Sequence, residues 1–127
     1  MEVRLVVLKL KRIYESRSSD DGYRVLVDRL WPRGIKKVDA HIDLWAKELA
    51  PSTALRKKFH NGVIDYKAFK EVYGGELAQN VELIRFVRLI EKKEQEVVTL
   101  LTAVKDVDHS HIPVLMSKMA TLLERES

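Results

Sequence analysis

Apolar residues follow two patterns along this chain, and the alternation between the patterns predicts the fold. Short continuous apolar runs recur over residues 3–10, 23–28 and 97–104. Runs of this length and β-branched content predict buried strands. In the first run Val3, Leu5 and Val7 share one parity and Leu8 and Leu10 the other, so both faces of the strand are covered. Residues 97–104 are apolar on both faces as well and form the clearest strand in the sequence. That strand is expected in the interior of a sheet.

Between the runs the spacing changes to that of a helix. Ile42, Trp45, Ala46 and Leu49 predict a helix over 40–50, with Asp39 as its cap. Pro51-Ser52-Thr53 ends it and caps a short basic helix over 54–59, which stops at His60-Asn61-Gly62. Asp65 caps a third helix with Phe69, Val72 and Tyr73 inward, and Gly74-Gly75 is expected to interrupt it. Asn80 caps a fourth over 81–93, striped by Leu83, Ile84, Val87 and Ile90. The last runs over 112–124 and carries Pro113 in its first turn.

Strands separated by helices predict an α/β fold. The expected architecture is a small three-layer domain, a short and mostly parallel sheet flanked by helices, with residues 1–127 forming one unit. Residues 15–22 are polar and turn-rich, too short a link for a crossover helix. A direct parallel pairing of the first two strands is the weak point of this arrangement.

Composition narrows the picture. A chain of 127 residues suits one domain and can bury a true core. It is 46% hydrophobic and 33% charged, which is a globular balance. No cysteine is present, which excludes disulfides, thiolate nucleophiles and cysteine-ligated metal sites. No apolar stretch is long enough to span a membrane. Residues 1–9 are too short and too charged for a signal peptide, so a cytoplasmic location is expected. The net charge of +4 is uneven: residues 1–60 carry 14 basic and 8 acidic side chains, residues 61–127 carry 9 and 11. The basic half favours an anionic partner.

The candidate chemistry lies in that half, in Asp28-Arg29-Leu30-Trp31-Pro32-Arg33-Gly34. Pro32 cannot donate to a sheet ladder and stops the strand, and Gly34 permits a sharp turn. In a parallel sheet Asp28 and Asp106 both emerge at the carboxyl edge, where open α/β sheets bind ligands. Arg29 and Arg33 would clamp a small anionic ligand, phosphorylated or carboxylated, beside Trp31. Asp28 would orient an arginine or act as a base, and Asp106 with His111 would face it.

Structural roles weigh equally for these groups: ion pairs that anchor the loop, and Asp106 and Ser110 as caps of the last helix. His109 and His111 fit no standard zinc spacing, so no metal is expected. Phosphate-loop, dinucleotide and nucleophile-elbow motifs are absent, so no cofactor is expected. Lys36, Lys37 and Arg56-Lys57-Lys58, with Trp31 and Trp45, leave association with nucleic acid as an alternative. A regulatory interaction module with structural arginines is a third reading.

The stretch from Asp21 to Gly34 resembles the signature of the YeaO-like family, domain of unknown function 488. Asp43, Trp45, Leu49-Ala50-Pro51-Ser52, Leu55-Arg56, Phe59, Phe69, Tyr73, Glu76-Leu77, Thr99-Leu100-Leu101, Lys105-Asp106 and His111 extend the resemblance over nearly the whole chain. It implies a small bacterial or archaeal α/β protein with a short parallel sheet, and no particular activity. The chain departs from the pattern in two places. Thr102 stands where the family resemblance carries Tyr, and Ser110-His111-Ile112 where it carries Asn-His-Ala.

Overall fold

The computed structural model describes residues 6–124, so the start of the predicted first strand, Val3 and Leu5 included, lies outside the described residues. Four strands form one sheet in the order β1-β4-β2-β3: β1 Val7–Arg12, β2 Tyr23–Leu26, β3 Leu44–Trp45 and β4 Val97–Thr102. All pairings are parallel, with Val7 opposite Val97, Tyr23 opposite Val98, and Val25 opposite Leu44. The interior position expected for β4 is found. It also resolves the weak link, because β1 and β2 are not neighbours: β4 lies between them. The 10 residues 13–22 then need only carry the chain back along the sheet, within the reach of a largely extended segment.

Five helices are described: α1 Lys37–Ala40, α2 Thr53–His60, α3 Tyr66–Ala78, α4 Val81–Lys92 and α5 Ile112–Glu124. Ser52, Asp65 and Asn80 cap α2, α3 and α4 through side-chain oxygens that accept from Leu55, Ala68 and Glu82 N–H groups. The α3 helix runs unbroken through Gly74-Gly75, contrary to the expected interruption. Helix α3 keeps Phe69, Tyr73 and Leu77 buried along one face, and that packing outweighs the glycines' low helix propensity.

The helix expected over 40–50 does not form. His41 adopts a left-handed conformation after α1, β3 follows, and Lys47–Leu49 make a 3₁₀ turn. Here apolar residues spaced for one helical face serve two layers. Ile42 and Trp45 pack on one side of the sheet, Ala46 and Leu49 on the other. Asp39 does not cap α1, whose N-cap is Lys36 without a side-chain bond.

The two faces are unequal. One carries the main core, in which Leu8, Leu10, Val25, Val98 and Leu100 meet apolar residues of α2, α3, α4 and α5. The other is thinner. Leu26 and Leu101 meet Ile13, Trp31, Ile35 and Trp45, so extended links and the single-turn α1 make the third layer. A buried charge cluster pins these links. Arg24 on β2 is ion-paired with Asp21 and donates to the Ala40 and His41 carbonyls. Lys11 on β1 reaches the same carboxylate at 3.0 Å. Gly22 fits this corner because its φ is +63° and a Cβ would stand 2.3 Å from the Val97 carbonyl oxygen.

Burial opposes the charged form of Asp21. The Ser18 N–H, Lys11 and Arg24 outweigh it and hold the carboxyl below its ordinary value of 3.8. A depressed folded-state value gives stability that is present above the unfolded value and lost as pH falls through the folded one. Asp21→Asn should therefore cost about 3–5 kcal/mol at neutral pH by leaving Arg24 buried without its partner. The gap from wild type should shrink as the pH is lowered below 3.8. Urea denaturation at pH 7 and at acid pH measures both; a gap that does not change with pH contradicts the assignment.

Candidate functional site

The strands end side by side, and the ladder's last groups need partners. Side chains supply them. Asp28, two residues past β2, accepts from the Thr102 hydroxyl and the Ala103 N–H, each at 2.7 Å. The Thr102 hydroxyl oxygen accepts from the Val104 N–H at 3.1 Å. On the other flank Arg12 donates to the Ala103 and Val104 carbonyls. The Asp28 carbonyl in turn accepts from the Trp45 indole at 2.8 Å.

His111 joins this junction at the start of α5. Its Nε2 lies 3.0 Å from the Val27 carbonyl and 3.3 Å from Asp28 Oδ1. A carbonyl only accepts, so the proton belongs on Nε2, which donates to Val27 and lies beside the Asp28 carboxylate. Ser110 caps the α5 start: its hydroxyl donates to the Val107 carbonyl and accepts from the Ile112 N–H. That is the helix-capping role foreseen for it, without Asp106.

A cavity of about 530 Å³ opens over this junction. The 28–34 stretch forms one wall through Asp28, Arg29, Leu30, Trp31, Pro32 and Arg33. Arg56, Phe59 and His60 of α2 and Phe69 of α3 form the facing wall, and Ala103, Val104 and His111 lie along the sheet edge. The lining is mostly apolar. Three guanidinium groups and a single carboxylate supply its charge.

The arginines differ in what they do. Arg29 donates through Nε to the Pro51 carbonyl at 2.9 Å and through Nη2 to the Ala50 carbonyl at 3.1 Å. It ties the loop after β2 to the segment before α2. Tyr73 and Glu76 of α3 hold the same segment. The Tyr73 phenol donates to the Leu49 carbonyl, and Glu76 accepts from the Ser52 N–H and hydroxyl. Burial, with Glu76 nearby, pushes the Tyr73 phenol above its ordinary range, so it remains a donor.

Arg33 is exposed at the cavity rim. Arg56 is the unresolved member: its Nε is buried and has no hydrogen-bond partner. In the sequence Arg56 belongs to a basic run and to the Leu55-Arg56 pair of the family resemblance; its position four residues after Ser52, one turn into a capped helix, is the further signal.

Of the residues singled out from sequence, Asp28, Arg29, Trp31, Arg33 and His111 line this one cavity. Asp106 does not. It lies beyond the same sheet edge but faces solvent, paired with His109 Nδ1 at 3.0 Å. Asp106 stands four residues beyond Thr102, the last paired position of β4, and the chain there has left the Asp28 junction. Trp31 lies edge-on to Trp45, with ring centres 5.3 Å apart, and its indole donates to the Ile35 carbonyl. Among the described residues no group of three or more His, Asp or Glu side chains is placed to hold a metal ion. No helix among them is long and apolar enough to cross a membrane.

Comparison with known proteins places this geometry in a family. Residues 7–127 match the family described as the inactive DUF488-N3 subclade. The uncharacterized protein YeaO of Escherichia coli is 46% identical over 115 residues, covering 91% of this chain and 98% of its own. The uncharacterized protein Rv3073c of Mycobacterium tuberculosis is 39% identical over 113 residues, covering 89% of this chain and 93% of its own. The uncharacterized protein Mb3100c of Mycobacterium bovis is similar to the same extent. No solved structure matches. The chain belongs to the YeaO-like DUF488 family.

The junction should be structural in its energetics. Arg29→Ala removes two bonds from a charged donor to carbonyls, and should destabilise the fold by about 2–4 kcal/mol. Arg33→Ala should leave stability within about 0.5 kcal/mol of wild type, as for an exposed side chain. Denaturant midpoints of the two variants check this, and equal midpoints would contradict the division of roles.

Proposed function

We propose that this member of the inactive DUF488-N3 subclade is a binding domain for a small anion, without catalysis of its own. The carrying observation is Arg56, a cation with a buried Nε–H that meets no acceptor, on the wall of a cavity that also holds Arg29 and Arg33. Leaving a charged donor buried and unpaired costs more than a neutral one, about 1–3 kcal/mol or above. A phosphate or carboxylate oxygen answers that need, since both match the guanidinium fork.

The inactive reading has support in the same cavity. Asp28, the one carboxylate of the described lining, accepts from the Thr102 hydroxyl on one oxygen and the Ala103 N–H on the other, with His111 Nε2 3.3 Å from the first, so both oxygens are engaged. Ser110 is committed as a cap. Thr102 places a short hydroxyl against Asp28 where the family resemblance has a tyrosine, whose phenol would reach further. No side chain here is paired as nucleophile and free base.

Nucleic-acid association draws less support. Trp31 and Trp45 pack edge-on against each other, and Trp45 is not part of the cavity lining, so the two offer no row of rings for successive bases.

Thermal melts of the full chain with inorganic phosphate, citrate, phenyl phosphate and uridine monophosphate test the proposal. A ligand at 100 times its Kd adds about 2.7 kcal/mol, a rise of several degrees for a domain of this size. At least one of these anions should raise the midpoint saturably. In Arg56→Gln that response should vanish while the ligand-free midpoint stays level or rises. No response to any anion, or a large loss of ligand-free stability in Arg56→Gln, would overturn the reading.

A further inference from the structure

The composition of the cavity narrows the anion. A volume of about 530 Å³ is that of a site for a small organic molecule, far more than an inorganic ion fills. Its charge is gathered on Arg29, Arg33 and Arg56, whereas much of the remaining wall is aromatic.

These rings come from separate segments. Trp31 belongs to the loop after β2 and Phe59 to α2. Phe69 of α3 backs Phe59, with ring centres 4.5 Å apart. Tyr14, in the link after β1, adds a ring 48% exposed beside the rim. Pro32 and Pro51 add flat apolar surface on the same walls. Leu30, 61% exposed, stands at the mouth. Core packing accounts for Phe69, which is buried. It does not account for Leu30, and Tyr14, whose phenol donates to the Arg33 carbonyl and whose ring meets the Arg12 guanidinium, still leaves nearly half of its surface open.

We infer that the ligand is an aromatic organic anion, a flat ring joined to one phosphate or carboxylate; this rests on the anion-binding reading above. The acidic group meets Arg56 and Arg33, and the ring lies among Trp31, Phe59 and Tyr14. Offset and edge-to-face contacts with those rings add to the gain from removing an apolar surface from water. A nucleoside monophosphate and an aromatic carboxylate share this chemistry.

Calorimetric titration of the full chain with a graded series of ligands tests the inference. Methyl phosphate, phenyl phosphate, uridine monophosphate and benzoate separate the head group from the ring. Phenyl phosphate should bind at least about tenfold more tightly than methyl phosphate, from ring burial alone. Magnetisation transfer in solution should run from its ring protons to Phe59 and Trp31. Tighter binding of uridine monophosphate than of benzoate assigns a nucleotide; the reverse assigns a carboxylate. Equal affinity for methyl and phenyl phosphate, both lost in Arg56→Gln, overturns the aromatic ligand and leaves the anion site standing. No binding by any of the four overturns both.

Discussion

A parallel sheet brings its strand ends to one edge, and the backbone there loses its ladder partners as the strands diverge. In this chain the Asp28 carboxylate meets that constraint between β2 and β4. It receives the Thr102 hydroxyl and the Ala103 N–H, and His111 Nε2, bonded to the Val27 carbonyl, lies 3.3 Å from it. One side chain thereby joins the end of β2, the end of β4 and the start of α5. Arg12 does the same work for the carbonyls on the β1 side. These bonds hold the part of the cavity lining that the sheet edge supplies, Asp28, Ala103 and Val104.

The same satisfaction limits the chemistry. A carboxylate with a donor on each oxygen and an imidazole beside it is poorly placed to take a proton from a substrate. Asp28 read as a base in the sequence because its position, directly after an apolar strand, is shared by catalytic and structural carboxylates alike. The difference lies in the partners across the sheet, Thr102 and Ala103, which stand 74 and 75 residues away along the chain. Local sequence carries no record of that pairing.

The parts that were legible follow from local physics. β4 was evident because an apolar run on both faces has only an interior place to go, and α2, α3 and α4 because their caps sit one residue ahead of a periodic stripe. Residues 40–50 were misread for a definite reason. Four apolar side chains at helical spacing can also serve an edge strand whose flanks bury on opposite sides, and the decision was taken by Arg24, whose guanidinium holds the Ala40 and His41 carbonyls and whose N–H meets Asp43. Within the 28–34 motif, Asp28 and Arg29 bind backbone and side chains of their own chain, while Arg33 is left at the rim. Position alone puts Arg33, after Pro32, outward and Arg29, beside the strand end, inward, as found; it does not give which carbonyls come to meet Arg29.

Arg56 stands apart from this division. Folding consumes most polar groups at this edge: Arg12, Arg29, Thr102, Ser110 and Glu76 each have named partners. Against that background a single buried guanidinium nitrogen without a partner stands out, because interiors leave few such groups unmatched. The imbalance in charge points the same way. Asp28 is the only carboxylate in a lining with three arginines, and its charge is already shared among internal donors. Apolar walls reduce the screening of the remaining positive field. The fold therefore uses its carboxylate to hold the sheet edge together and leaves a surplus of cation above it, the imbalance on which the anion-binding proposal rests.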